Sequence, residues 1–85
     1  MIVKAFEASN PVMKRYPKFY LVSAYDGADE VYLTARESRN YMSPIIEEAI
    51  RFLSLKTAKE RAEAMSKNCP RLKKFEALEA HEVKL

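Results

Sequence analysis

Residues 43–68 read Ser43-Pro44-Ile45-Ile46-Glu47-Glu48-Ala49-Ile50-Arg51-Phe52-Leu53, then Ser54-Leu55-Lys56, then Thr57-Ala58-Lys59-Glu60-Arg61-Ala62-Glu63-Ala64-Met65-Ser66-Lys67-Asn68. This is the one long segment with helical signals at both ends. Ser43 suits an N-cap, and Pro44 fits the first helical position, where its missing N–H costs nothing. Glu47 and Glu48 lie where the helix dipole favours negative charge. Ile46, Ala49, Ile50 and Leu53 follow the i, i+3, i+4, i+7 spacing of a buried stripe. Ser54-Leu55-Lys56 interrupts the pattern. Thr57 and Glu60 then have capping-box spacing, which predicts a fresh helix start. Ala58, Ala62, Met65 and Cys69 form its inner face, and Asn68 with Pro70 ends it. One bent helix and two short helices fit equally well.

Upstream, the chain reads as strands that need such a cover. Phe19–Tyr25 and Glu30–Arg36 are rich in aromatic and β-branched residues and flank Asp26-Gly27-Ala28-Asp29. Gly27 can take the positive φ of a tight reversal, so the pair predicts an antiparallel hairpin. Val31, Leu33 and Ala35 alternate with Tyr32, Thr34 and Arg36, which predicts one apolar and one wet face. The earlier strand is apolar on both faces, as a central strand would be. Ile2–Ala8 is a further candidate strand, stopped by Ser9-Asn10-Pro11. Residues 12–17 form a basic, aromatic connection, either a solvated link or a contact loop. Glu37–Met42 is polar and irregular.

Downstream, Leu72, Phe75 and Leu78 have helical spacing, yet Phe75, Ala77, Glu79, His81, Val83 and Leu85 also alternate. A strand over about residues 75–84 is the preferred reading, since it would return beside the hairpin and complete a layer under the helices. The expected architecture over residues 1–85 is therefore a single α+β domain. It has a three- to four-stranded, mainly antiparallel sheet, covered on one face by one bent or two short helices, in the order ββ(β)ααβ.

Eighty-five residues with 48% apolar content suit one small globular domain, not a disordered tail. The lone Cys69 cannot make an internal disulfide, which points to a reducing compartment. No apolar run is long enough to span a membrane, and the first residues lack the layout of a secretory signal, so the expected location is cytoplasmic, without membrane association. The net charge of +3 permits nucleic acid without demanding it.

Chemistry-bearing motifs are sparse. His81 is the only histidine and has no orienting partner signalled nearby. Cys69 follows a helix end, the wrong pole for a reactive thiolate. One Cys and one His do not make a zinc ligand set. Asp26 and Asp29 suit turn chemistry better than an ion site. No glycine-rich loop is present to cradle a phosphate. No enzyme activity, cofactor or metal is expected.

Surface chemistry offers more. Lys14, Arg15 and Lys18 lie in one acid-free stretch, and Lys67, Arg71, Lys73 and Lys74 in another. If the two are adjacent in space they form one positive surface for RNA or DNA; if they are scattered, a protein target is favoured. Tyr32 beside Arg36, with Arg39 further on, offers stacking and charge for single-stranded nucleic acid. It suits a protein-binding hot spot as well. Its plain alternative is a cross-strand pair that only stabilises the sheet.

The order of a hairpin bearing Val-Tyr-Leu-Thr, then Ala49, Phe52, Ser54 and Ala58 in an Ala-x-x-Phe-x-Ser-x-x-x-Ala spacing, then a closing charged-apolar alternation, resembles small accessory proteins of bacteriophages. The resemblance is one of layout over residues 18–85 and transfers no functional residue. It implies a non-enzymatic binding protein in the host cytoplasm that inhibits a host or defence-system protein, with RNA binding as a route. The alternatives are a general RNA- or DNA-binding module and a self-associating assembly protein that pairs through a sheet edge as a homo-oligomer.

Overall fold

The computed structural model describes residues 1–4, 16–34 and 42–83. Expectations that fall on residues 5–15, 35–41 and 84–85 lie outside the described residues. Among these are the continuation of the first strand to Ala8 and the placement of Lys14, Arg15, Arg36 and Arg39.

Five strands form one antiparallel sheet: β1 (Ile2–Lys4), β2 (Lys18–Asp26), β3 (Asp29–Leu33), β4 (Met42–Ser43) and β5 (Lys73–Glu82), in the spatial order β1-β5-β2-β3-β4. Among the described residues one α-helix, α1 (Leu55–Asn68), is present, and it packs on β2 and β5. The α+β layout is as the sequence predicts. So are the central place of β2 and the strand reading of the last segment. The hairpin turns at Gly27-Ala28, where Asp26 pairs with Asp29. Gly27 has φ 65°, and Ala28 is not among the positive-φ residues. Positive φ at the first central position alone is the type II′ pattern, whose twist matches that of the flanking strands.

Helix α1 begins three residues before the capping-box reading placed it. Its N-cap is Ser54, whose hydroxyl accepts a hydrogen bond from the Thr57 amide at 3.4 Å. Ala58, Ala62 and Met65 are its buried positions, and two of the three are alanines. The small side chains let the helix lie close on Val22 and Leu33, and Met65 fills the remaining gap. Burying a side chain of that size is worth about 1.5–3 kcal/mol.

The first predicted helix does not form. After β4 the chain makes one 3₁₀ turn, Ile46–Glu48, and then runs extended. Ser43 does serve the start of this turn: its hydroxyl accepts from the Ile45 amide at 3.1 Å and donates to Glu48 at 2.6 Å. What overrides the helix is competition for the chain by the sheet. Ile50 N–H donates to the Leu33 carbonyl, and Phe52 and Tyr20 exchange two backbone bonds of 2.8 Å. Residues 49–52 thus occupy the flank of β2 that β3 has vacated. The supposed single stripe is divided: Ile46 and Ala49 join one core cluster, Ile50 and Phe52 another, and Leu53 is 89% exposed.

Both faces of the sheet are consequently buried. One carries Val22, Leu33 and the helix. The other carries Ile2, Phe19, Leu21, Tyr32 and Ala80, with Ile46 and Ala49 packed against them. The expectation of a wet face bearing Tyr32 and Thr34 is therefore wrong. Both residues are buried, because the extended segment and its 3₁₀ turn cover a side that alternation alone assigns to solvent.

Strand β5 carries one irregularity. Its register against β2 shifts between the Ser23–Glu76 and Tyr25–Lys73 pairs, so β5 has one extra residue there. Lys74 sits in this bulge with φ 56°, the left-handed region. A bulge position of this kind ordinarily takes glycine.

Candidate partner interface

Tyr32, expected as an exposed stacking residue, is only 5% exposed. Its hydroxyl donates to Glu30 Oε1 at 2.7 Å, and the Lys4 ammonium binds the same oxygen while lying 5.3 Å from the Tyr32 ring centroid. Burial pushes the Glu30 carboxyl up, but hydrogen bonds from Lys4 and Tyr32 outweigh it and hold the group below its ordinary range. Burial also works against the Lys4 charge; its bonds to Glu30 and Tyr32 prevail and raise its pKa. Burial and the bond to Glu30 raise the Tyr32 phenol. This is a structural network joining β1 to β3. The sequence held no signal for it, since Lys4 and Glu30 are 26 residues apart.

The two basic stretches do not merge through Lys18. That residue pairs with His81 at one end of β2, whereas Lys73 pairs with Tyr25 at the other. Seven residues of strand separate them, about 23 Å at roughly 3.3 Å per residue. Lys18 lies 3.9 Å from Glu79. Lys67, Arg71, Lys73 and Lys74 are gathered by the end of α1, the turn that follows and the start of β5, and all four are exposed.

The other chemistry-bearing side chains have structural placements. His81 is buried in β5, with Nδ1 3.0 Å from the Tyr16 carbonyl oxygen. A carbonyl only accepts, so Nδ1 holds the proton in this contact. The bond ties the entry of β2 to the last strand. Cys69 caps the helix through its amide to the Met65 carbonyl, and its side chain packs half-buried on the core. Asp26 and Asp29 face each other at the hairpin tip. Among the described residues, no three His, Cys, Asp or Glu side chains gather as a metal ligand set, and no helix is long and apolar enough to cross a membrane.

The sequence reading missed a groove at the Lys18 end of the sheet. It has a volume of about 490 Å³ and is lined by Tyr16, Pro17, Phe19, Arg51 and Glu82. The His81 bond places Tyr16, and the strap at residues 49–52 places Arg51. The Arg51 guanidinium stacks over the Phe19 ring at 4.8 Å and donates to Glu82 Oε1 at 2.9 Å. That bond from Arg51 holds the Glu82 carboxyl below its usual range. The Met1 nitrogen lies 3.4 Å from the other Glu82 oxygen, and the Met1 residue is 59% exposed. Leu53 lies two residues beyond Arg51, the intervening Phe52 being packed inward, and is largely solvated. Tyr16 and Arg51 in one groove with a stacked Phe ring, and an exposed Met beside its Glu82, are residue types that anchor protein interfaces. Arg51 was legible only as a helix residue, so nothing in the sequence joined it to Phe19.

No family model matches the chain, and neither a curated protein nor a solved structure does.

Proposed function

We propose that this is a small non-enzymatic binding protein whose target is another protein. Its action is to occupy and block that target, as the phage accessory proteins that its layout resembles do with host or defence factors. The observation that carries this reading is the Arg51–Phe19 stack in the groove, with exposed Met1 beside Glu82 and exposed Leu53 two residues along the chain from Arg51. A guanidinium already stacked and already bonded to Glu82 loses little side-chain freedom on binding, so it is pre-organised as an anchor. The separation of Lys18 from the Lys67–Lys74 cluster supports a protein target over one continuous nucleic-acid track along the sheet.

The experiment is capture from bacterial lysate by the tagged protein, run beside an Arg51→Glu/Leu53→Asp variant and a Lys59→Glu control on the exposed face of α1. A stoichiometric partner retained by wild type and control but lost by the groove variant supports the reading. Absence of a partner, or one indifferent to the groove variant, overturns it. Sedimentation over a hundredfold concentration range supplies the remaining arm. A dimer abolished by the groove variant would assign the surface to a second copy of the chain.

A further inference from the structure

We infer that the end of the sheet opposite the groove, formed by Lys67, Arg71, Lys73, Lys74 and Tyr25, is a binding surface for the backbone of single-stranded nucleic acid. The inference is independent of the groove, which lies at the far end of β2. Its first support is the concentration of charge. Four exposed cations come from eight consecutive residues folded into a helix end, a turn and a strand start. Lys67 meets Glu63 at 3.5 Å, but both side chains are more than 70% exposed, so water and salt screen that pair. Lys73 donates to the Pro70 carbonyl at 3.2 Å, a contact that positions the ammonium without neutralising it.

The second support is conformational. Lys74 holds a left-handed backbone that a non-glycine residue adopts at a cost of about 1–2 kcal/mol. In that conformation its ammonium lies over the Tyr25 ring, 5.8 Å from the centroid. Residues held in such conformations cluster at functional sites. A half-buried tyrosine paired with Lys73 and lying under the Lys74 ammonium supplies a ring for a base. Lys73 and Lys74, with Arg71 and Lys67 in the adjoining turn and helix end, supply charges for the flanking phosphates, the pairing used for single strands. A lipid headgroup or an acidic peptide would use the charges and leave the ring idle. Asp26 and Asp29, at the hairpin tip just beyond Tyr25, act against any anion here. Their opposition is itself a handle on the proposal.

The test is fluorescence anisotropy of labelled mixed-sequence 12-nucleotide RNA and DNA. About three phosphate contacts give a log–log salt slope near −2, so raising salt from 50 to 200 mM should weaken binding about 20-fold. Arg71→Gln/Lys73→Gln should weaken it about tenfold, Tyr25→Leu severalfold, and Asp26→Asn/Asp29→Asn should tighten it. Arg51→Glu/Leu53→Asp should leave it unchanged, so failure of the groove reading and failure of this one are separable. Circular dichroism of each variant confirms that it is folded. Absence of binding at 50 mM salt overturns the inference. So does binding indifferent to the Arg71/Lys73 pair or to Tyr25, or equal affinity for a poly-glutamate peptide or anionic vesicles.

Discussion

Replacing Lys4 by Met probes how β1 is held to the sheet. Lys4 and Glu30 side chains are 11% and 20% exposed, and they share one oxygen with the Tyr32 hydroxyl. At an effective dielectric constant near 20 a contact ion pair is worth about 4 kcal/mol, which desolvation of the two ions largely offsets. The assembled network is thus near break-even, whereas breaking it leaves a buried carboxylate one cation short. Lys4→Met should cost about 3 kcal/mol at pH 7 and Tyr32→Phe about 1.5–2 kcal/mol. The triple variant Lys4→Met/Glu30→Leu/Tyr32→Phe should lie within about 1 kcal/mol of wild type. With a urea slope near 1 kcal/mol/M for a domain this small, Lys4→Met lowers the midpoint by about 3 M. The pH dependence supplies an internal check. Glu30 has a folded pKa below its ordinary 4.5, so its stabilisation is present above that value and is lost as pH falls through the folded pKa. Without Lys4, burial prevails and the carboxyl rises, so the gap between variant and wild type should narrow as pH drops from 7 to 3. A gap that stays constant with pH, or a triple variant as unstable as Lys4→Met alone, would refute the reasoning.

Three further outcomes follow from single positions. Ser23 is wholly buried and its hydroxyl finds no hydrogen-bond partner among the described residues, so Ser23→Ala should raise stability by about 1 kcal/mol in urea melts. Gly27→Ala meets no atom within 4 Å of the added Cβ but must keep φ at 65°, so it should cost about 1 kcal/mol through conformation alone, whereas Gly27→Asn should cost less. Ser54→Ala removes the N-cap of α1 and should cost about 1 kcal/mol, with faster amide exchange at Thr57 than at Met65.

Much of the framework was legible because local chemistry and tertiary context agree there. Gly27 between two aromatic strands marks the hairpin, and Ala58, Ala62 and Met65 mark the buried face of the helix. Phe75 to Val83 alternates and is a strand almost throughout. Residues 43–53 were illegible for a specific reason. Ile46, Ala49, Ile50 and Leu53 satisfy a helical period, but the same residues in extended form can serve two opposed faces, and Tyr20 and Leu33 had backbone groups for them to meet. Tyr32 was misplaced by the same ignorance: alternation tells which residues share a side, not whether that side is covered. The candidate site inherited both errors. Phe19 and Arg51 converge only because residues 49–52 are extended, a pairing 32 positions apart that no local pattern signals.

The cross-piece at residues 49–52 has one more consequence. It ties Leu33 and Tyr20, both remote from the Gly27 turn, so the β2–β3 ribbon is closed at its open mouth as well as at its tip. Sliding one strand past the other by a single residue would have to break both closures at once and would rotate Val31 and Leu33 to the opposite side. Misalignment is thereby excluded by a loop of backbone bonds rather than by side-chain fit alone. Substitutions across the faces of this ribbon should change how firmly it holds long before they change which residues it aligns.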